Sequence, residues 1–305
     1  MLKNKQRKKT IIITGAHGQD GIILSKLLSK KNYNIIGLVR HSKKTKIKNV
    51  RYIKINLSNF SSVSKIIRNL APHTLIHFGS DNPSFYENKK LNKDFYIRNF
   101  KETKNLIDTF TYLKKSKLIL IGSSQMYKSR ISKINLKTKF TQTTPYTKFR
   151  INTFNYMISQ KKKFKSNMIM AILFNHDSIY RNKKFLIPRL IKLVRNKDFK
   201  RLQEIYNENI SGDFSHADDI CNGLFKLINT KKNPDKLIFS SNKRIYINDV
   251  IKYLIKTNKL KDIINFKSTK RKSSSIGDNS FTKKLLNWKL KKNIFIAVRE
   301  LNKIY

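Results

Sequence analysis

The residues of this sequence best suited to chemistry are a tyrosine and an arginine four positions apart, Tyr146 and Arg150. Thr144 and Pro145, directly before the tyrosine, are typical of a helix start, because proline is tolerated in the first turn. Residues four apart on a helix lie on one face, so the guanidinium would lie one turn from the phenol. A phenol beside a fixed cation can accept a proton, which makes Tyr146 a candidate general base.

A glycine-bearing turn near the start of the chain is a candidate cofactor site. Gly15, Gly18 and Gly21 stand at three-residue intervals in the string TGAHGQDG, after a β-branched run and before apolar residues at helical spacing. Glycine lets the backbone approach a pyrophosphate, and a helix N-terminus offers unpaired N–H groups to that anion. The turn therefore predicts a dinucleotide site that also includes Gln19 and Asp20.

The end of the second predicted strand indicates which dinucleotide binds. An acidic residue there would hydrogen-bond the free ribose hydroxyls of NAD, whereas this chain has Arg40 followed by the basic run HSKK. A guanidinium suits a 2′-phosphate. The sequence thus predicts NADP as the cofactor.

Alternating strands and helices must position these residues. Strands are predicted over 10–14 and at Asn34–Val39, Tyr52–Ile55, Thr74–Phe78, Lys117–Ile121 and Met168–Leu173, with segments between them that can be helical. Such alternation predicts an α/β fold, a Rossmann-like doubly wound parallel sheet, with an NADP-binding domain over 1–173.

The second half of the chain has a weaker pattern. Beyond about Phe174 we expect an irregular stretch and then helices around Asp218–Ile228, Ile247–Ile255 and Ser280–Leu286. Residues 174–305 are expected to form mainly a smaller substrate-binding cap over the carboxyl edge of the sheet, with some return to the core. Ligands bind at that edge in open α/β sheets.

Composition narrows the class of protein. The 305 residues, of which 39% are hydrophobic, suffice for a substantial core. A single cysteine, Cys221, excludes an intrachain disulfide framework and is expected to be a small core residue. No apolar segment approaches the roughly 20 residues that cross a bilayer, so no membrane span is expected and the cytoplasm is the predicted location. No His, Cys or carboxylate spacing resembles a zinc motif, so no metal is expected.

The charge of +49 would attract any polyanion, including nucleic acid. The lysines are spread along the whole chain and accompany abundant Asn and Ile, a pattern also expected from A- and T-rich codons. The basic residues are not interleaved with aromatic residues in a recognisable binding motif. No specific nucleic-acid partner is therefore expected.

Several motifs in chain order resemble the GDP-mannose 4,6-dehydratase family. TGAHGQDG resembles the opening of that family, and LFNHDS at Leu173–Ser178, continuing through Phe185, resembles its LFNHES segment. DFSHADD is similar to the end of a family RDWGHAKD segment, and GDNSFTKKLLNWK to GDPTKAxEKLGWK. The resemblance covers nearly the full length. It implies a Rossmann domain, a C-terminal region that holds GDP-mannose or a related nucleotide sugar, and a homo-oligomer.

The resemblance also implies a lyase mechanism and its residues. In the family, hydride leaves C4 of the sugar for NADP⁺, the C4 ketone acidifies C5–H, hydroxide leaves C6, and hydride returns to C6. Asn175 would contact the nucleotide diphosphate, with Arg181 and Arg189 as further substrate-binding residues. At the position of Arg150, short-chain dehydrogenases normally have a lysine. The cation of that lysine favours the tyrosinate and binds the nicotinamide ribose.

The segment IGSSQMY resembles the family's STSELY and carries the main departure. It places Ser123 where a catalytic hydroxyl hydrogen-bonds the C4 oxygen, and Gln125 where a glutamate removes the C5 proton. An amide cannot act as a base near neutral pH. We therefore expect reduced dehydration unless another carboxylate, such as Asp81, substitutes.

Two further positions depart from the family. Asn56 stands where the family commonly has an aspartate near the adenine. Gly212 stands where the family has an arginine that contacts a phosphate, and Arg181 or Arg271 could supply that contact instead. Three functions stay open: a weakened dehydratase, a GDP-sugar 4-reductase or epimerase, which needs no C5 carboxylate, and a catalytically inert protein that binds NADP or a nucleotide sugar.

Overall fold

The structure, a computed structural model, describes residues 8–41, 47–128, 131–260 and 274–305. Two segments named above, Ser42–Lys44 and the one that contains Arg271, lie outside these ranges. The strands are β1 (Lys9–Thr14), β2 (Tyr33–Val39), β3 (Val50–Lys54), β4 (Thr74–His77), β5 (Lys117–Ser123), β6 (Lys133–Ile134), β7 (Asn167–Leu173), β8 (Asn175–Asp177), β9 (Ser211–His216), β10 (Lys236–Phe239), β11 (Arg244–Tyr246) and β12 (Ile276–Gly277).

The helices are α1 (Gln19–Ser29), α2 (Phe60–Leu70), α3 (Phe85–Asn88), α4 (Lys93–Thr111), α5 (Pro145–Phe164), α6 (Leu186–Arg195), α7 (Phe199–Glu208), α8 (Ala217–Asn229), α9 (Ile247–Thr257), α10 (Ser280–Leu286) and α11 (Ile294–Ile304). The six predicted strands and the three predicted C-terminal helices are all present, each bounded within two residues of the prediction.

A seven-stranded sheet with the order β10-β7-β5-β4-β1-β2-β3 forms the centre of the molecule. Every neighbouring pair in it is parallel. The chain runs outward from β1 to β3 and then crosses back to β4, so the strand order reverses beside β1. This topology confirms the predicted Rossmann-like doubly wound fold, and its crevice lies at the carboxyl ends of β1 and β4.

The apolar run of β1 shows why the sheet is central. Ile11, Ile12 and Ile13 are all fully buried. Ile11 and Ile13 pack in one core cluster with α1 and α8, whereas Ile12 packs in a second cluster with α2 and α4. A parallel strand covered on both faces carries apolar residues at consecutive positions, which is the pattern seen in the sequence.

The C-terminal half contributes to this sheet and also builds a separate core. Strand β10 pairs with β7, and α8 packs against α1. Helices α6, α7, α9 and α11 enclose another apolar cluster next to the small sheet of β11, β9 and β8. The division of the chain into two domains between residues 173 and 174 stays a prediction.

The stretch expected to be irregular instead contains α6 and α7. Pro188, in the first turn of α6, discourages a helix prediction. Proline is nevertheless tolerated there, because its missing N–H has no partner in a first turn. Burial of Leu190, Ile191 and Val194 along one face of α6 then stabilises the helix.

Cys221 lies in the core between α8 and α1, which confirms its prediction as a buried core residue. Burial raises the pKa of its thiol well above the ordinary value. Within the described ranges, no helix has the length and apolar character needed to cross a bilayer, and no cluster of His, Cys, Asp and Glu could hold a metal ion.

Candidate active site

The parallel sheet gathers the predicted site residues at one edge. Gly15 follows β1, Arg40 follows β2, and Asn56 lies two residues beyond β3. Ser123 is the last residue of β5, and Asn175 lies two residues beyond β7. Because the carboxyl ends of parallel strands meet at the same edge, residues far apart in the sequence face one crevice. Asn56 closes a local turn there, its side-chain oxygen accepting the Ser58 N–H at 3.0 Å.

The glycine loop requires glycine at two positions for steric reasons. Gly15 has φ +66°, and a Cβ on it would lie 2.8 Å from the carbonyl carbon of Phe78 in the loop after β4. A Cβ on Gly21 would lie 2.4 Å from the Gly15 carbonyl oxygen. Gly18 donates its N–H to that same oxygen at 2.9 Å, which completes the turn. The loop therefore closes tightly against both β4 and the start of α1.

The N-terminus of α1 is free to meet an anion. Gly18 is the N-cap residue and no side chain caps the first turn. Beyond its chain neighbours, a Cβ on Gly18 would meet only the Gly15 carbonyl oxygen, at 3.3 Å, among the described residues. An uncapped helix start beside open space suits a pyrophosphate. These residues fit a nicotinamide dinucleotide.

The side chains of Gln19 and Asp20 contact β8 and the residue that follows it. Gln19 donates to the His176 carbonyl at 3.2 Å and accepts from the Ser178 hydroxyl at 3.0 Å. Both Asp20 carboxylate oxygens lie 3.1 Å from His176 Nε2. The GQDG and LFNHDS motifs therefore hold each other in place. A cofactor role for Gln19 and Asp20 stays a prediction, for which their backbone in the first turn of α1 is available.

Asp20 and His176 each favour the charged form of the other. Burial disfavours the imidazolium, but the Asp20 carboxylate outweighs it and raises the pKa of His176 above 6.5. Burial likewise opposes the carboxylate, but His176 lowers the pKa of Asp20 below 3.8. A raised histidine pKa stabilises the fold fully below pH 6.5 and loses this effect as pH rises through the folded value. A lowered aspartate pKa gives stability that is lost only as pH falls through its folded value.

We therefore expect Asp20→Asn to lower the free energy of unfolding by about 2 kcal/mol at pH 5.5. The loss should be smaller at pH 9, because the imidazole of the unmodified protein loses its charge as pH rises through the folded pKa of His176. Urea unfolding at the two pH values measures it, with Asp249→Asn at an exposed site as the control. A loss of equal size at both pH values would contradict the ionic pair.

Tyr146 and Arg150 occupy the first turns of α5 as predicted. Thr144 caps the helix through a bond from the Thr147 N–H, and Pro145 is its first residue. Tyr146 is 3% exposed and Arg150 is 5% exposed. The guanidinium carbon lies 5.2 Å from the Tyr146 ring centre.

Arg150 is held at the end of β5. One terminal nitrogen donates to the Ile121 carbonyl at 2.7 Å, which anchors the guanidinium on the sheet. Its Nε is buried without a hydrogen-bond partner among the described residues. A buried donor without a partner is costly, so part of the stabilisation from the Ile121 contact is offset at Nε.

Ser123 ends β5 and caps the short 3₁₀ turn Ser124–Met126, which contains Gln125 and packs against α5. The Ser123 hydroxyl oxygen accepts the Gln125 N–H at 3.2 Å. The Gln125 side-chain oxygen accepts from the Asn88 amide at 3.1 Å. The position expected to hold a base therefore carries an amide paired with another amide.

Asp81, the carboxylate considered as a substitute base, is bound elsewhere. Its oxygens lie 2.5 Å from Arg98 and 3.5 Å from Arg40. Although burial acts against it, these arginines lower the pKa of Asp81. A carboxylate stabilised as the anion by two cations is a weak base, so Asp81 does not replace the missing glutamate.

The predicted substrate residues lie on β8, on the segment after it and on α6. Asn175 is exposed on β8. Arg181 pairs with Asp177 at 2.9 Å and stacks 3.6 Å above the Phe185 ring centre. Because the Arg181 Nε faces Asp177, a phosphate contact in place of the missing arginine at 212 would fall to the terminal nitrogens of Arg181.

Arg189 is linked to the Gln125 turn through α3. Its guanidinium lies 4.6 Å from the Tyr86 ring centre, while Asn88 at the other end of α3 binds Gln125. Glu87 between them pairs with Lys184 at 2.8 Å. No sequence pattern singled out α3, although the Ser84–Glu87 capping-box spacing is visible in the sequence.

The His77 imidazole is surrounded by hydroxyl groups. It bonds Thr14 at 2.7 Å, Ser80 at 2.9 Å and Thr103 at 3.1 Å. Burial, with smaller effects from Arg150 and Arg40, lowers the pKa of His77 to about 3, so the imidazole is neutral. His77 is thus a buried, neutral side chain within the strand that the sequence predicted at Thr74–Phe78.

The fold and the site together define a class of protein. The structure of UDP-glucuronic acid 4-epimerase from Bacillus cereus, in complex with UDP-glucuronic acid and NAD, matches with a TM-score of 0.80 and 18% identity over 97% of this chain and all of that one. That of dTDP-glucose 4,6-dehydratase from Bacillus anthracis, in complex with NAD, matches with a TM-score of 0.78 and 15% identity over 97% and 96%. The chain has the extended short-chain dehydrogenase/reductase fold.

Sequence comparison identifies the family. A family model for GDP-mannose 4,6 dehydratase matches residues 12–301. GDP-mannose 4,6 dehydratase 2 of Caenorhabditis elegans is 20% identical over 81% of this chain and 70% of its own length. The Dictyostelium discoideum GDP-mannose 4,6 dehydratase is 23% identical over 76% and 71%. The chain belongs to the GDP-mannose 4,6-dehydratase family, which confirms the resemblance.

Proposed function

We propose that this protein is an NADP-dependent enzyme that oxidises C4 of GDP-mannose or a closely related nucleotide sugar. The observation that carries the proposal is the buried Tyr146–Arg150 pair at the carboxyl edge of the sheet, with Ser123 at the end of the adjacent strand β5. This arrangement provides a proton acceptor, a cation that stabilises it, and a hydroxyl group at one place.

Each residue of the site has a separate role in the proposed reaction. A nicotinamide dinucleotide held by the glycine loop and Arg40 would supply the acceptor for the C4 hydride and later its donor. Tyr146 as phenolate takes the proton of the C4 hydroxyl group, and the Arg150 cation stabilises that phenolate. Ser123 hydrogen-bonds the C4 oxygen, and Arg40 binds the 2′-phosphate that distinguishes NADP. Asn175 and Arg189 hold the nucleotide diphosphate.

Loss of water is the weakened step in this proposal. It needs a base for C5–H, and the Gln125 amide, bonded to Asn88, cannot accept that proton near neutral pH. The second candidate is a GDP-sugar 4-reductase or 4-epimerase, which requires hydride transfer at C4 alone. The Gln125–Asn88 bond favours it, because two paired amides form a neutral site without a base.

The test compares the unmodified protein with Gln125→Glu. Each is incubated with NADP⁺ and GDP-mannose, and the products are identified by mass spectrometry. We expect Gln125→Glu to form the product that has lost water about 100-fold faster, because a positioned base contributes on that scale. Gln203→Glu, on α7, is the matched control and should leave the rate unchanged.

The outcomes separate the open functions. Equal water loss in the unmodified protein and Gln125→Glu would show that another group acts as the base, against this assignment. NADP binding without turnover of GDP-mannose in either protein would support the reductase, the epimerase or an inert binding protein. A cytoplasmic location and a homo-oligomer are further parts of the proposal, and both rest on the sequence.

A further inference from the structure

Arg40 spans the carboxyl end of β1. It follows β2, and its terminal nitrogen lies 3.4 Å from the Gly79 carbonyl oxygen in the loop after β4. Because β1 lies between β2 and β4 in the sheet, the Arg40 side chain crosses above the start of the glycine loop. In folds of this kind an arginine there meets the 2′ position of the adenosine ribose.

Glu102 on α4 contacts the same Arg40 side chain. Its Oε2 lies 3.3 Å from Arg40 Nη2, and its Oε1 accepts from the Ser58 hydroxyl at 3.4 Å. The Glu102 side chain is only 6% exposed, whereas that of Arg40 is 42% exposed. The carboxylate is therefore a buried group between β2 and the loop after β3, and the guanidinium, which also lies 3.5 Å from Asp81, is the more exposed partner.

Burial makes this carboxylate dependent on Arg40. Burial raises the pKa of Glu102, and the nearby Arg40 guanidinium partly offsets this rise. A 2′-phosphate that binds Arg40 must share the guanidinium with Glu102, and a dianion beside a buried carboxylate is repelled. The free 2′-hydroxyl of NAD, by contrast, can donate a hydrogen bond to the same carboxylate oxygen.

We propose that Glu102 is a specificity-determining residue for the cofactor, one that lowers the preference of this site for NADP over NAD. The inference rests on the proposed binding of a nicotinamide dinucleotide. Glu102 takes the role of the acidic residue that the sequence lacks at the end of β2, and it acts from α4 instead. The site then accepts either dinucleotide, and Arg40 moves between Glu102 and the 2′-phosphate.

The test measures the dissociation constants of NAD⁺ and NADP⁺ by isothermal titration calorimetry, without any sugar substrate. We expect Glu102→Gln to raise the ratio of the NAD⁺ to the NADP⁺ dissociation constant at least about tenfold, or about 1.4 kcal/mol. Glu102→Ala, a second variant, should change the ratio in the same direction. Circular dichroism verifies that each variant is folded.

The matched control is Asp108→Asn. It removes the same charge from α4, but Asp108 pairs with Lys104 at 2.6 Å away from the crevice, so the ratio should stay unchanged. An unchanged ratio in the folded Glu102 variants overturns the role of Glu102, while binding of either dinucleotide still supports the proposed function. Binding of neither dinucleotide by any of the proteins overturns both.

Discussion

Replacing Tyr146 by phenylalanine is expected to lower the rate of C4 oxidation about 10²- to 10⁴-fold, the contribution of a positioned general base. The ring is buried beside Phe95 and the Arg150 guanidinium, and phenylalanine preserves both contacts. The dissociation constant of NADP⁺ should therefore change by less than about threefold, equivalent to less than about 0.7 kcal/mol. The rate is followed by product analysis with GDP-mannose, and the binding by calorimetry.

Tyr156→Phe is the matched control on the same helix. Its hydroxyl donates to Asp108 at 2.6 Å, and it lies ten residues, about 15 Å along the α5 axis, from Tyr146. This variant should retain the rate of the unmodified protein. If Tyr146→Phe also retained that rate, another group would be taking the C4 proton and the proposed role of Tyr146 would be wrong.

The second large effect is expected for Gly15→Ala. At φ +66° a Cβ would lie 2.8 Å from the Phe78 carbonyl group and 2.9 Å from the Gly79 nitrogen. These are backbone atoms, so they cannot rotate away and the loop itself must move. We expect the free energy of unfolding to fall by about 2–4 kcal/mol, from overpacking and the left-handed backbone together.

Dinucleotide affinity should fall at least about a hundredfold in Gly15→Ala, or about 2.7 kcal/mol, because the loop that would contact the pyrophosphate is displaced. Gly18→Ala separates the two effects. Among the described residues its Cβ would meet only the Gly15 carbonyl oxygen, at 3.3 Å, and its φ of −79° suits alanine. The loss of stability should therefore be smaller than in Gly15→Ala, while the methyl group enters the space proposed for a pyrophosphate. Thermal unfolding and calorimetry measure the two quantities. A Gly15→Ala protein with normal stability and affinity would contradict this account of the loop.

The sequence by itself determined six of the seven strands of the central sheet and the local parts of the site, but not α6 and α7. Consecutive apolar residues at 11–13 predicted a strand buried on both faces, and the three-residue glycine spacing predicted the turn before α1. The four-residue spacing of Tyr146 and Arg150 predicted their position on one face of α5. These predictions succeeded because helix and strand periodicity and glycine sterics act between residues close in the chain.

Only the tertiary structure decided which distant side chains share a partner. Arg40 meets Glu102 across 62 positions, and Asp20 meets His176 across 156. The sequence shows Glu102 only as an acidic residue on α4, and Asp20 only as a first-turn carboxylate. Their partners depend on how strands β2 and β4 flank β1 and how β8 meets α1. Such long-range contacts are set by the packing of whole elements, because no local periodicity encodes which loops meet at the edge of a sheet.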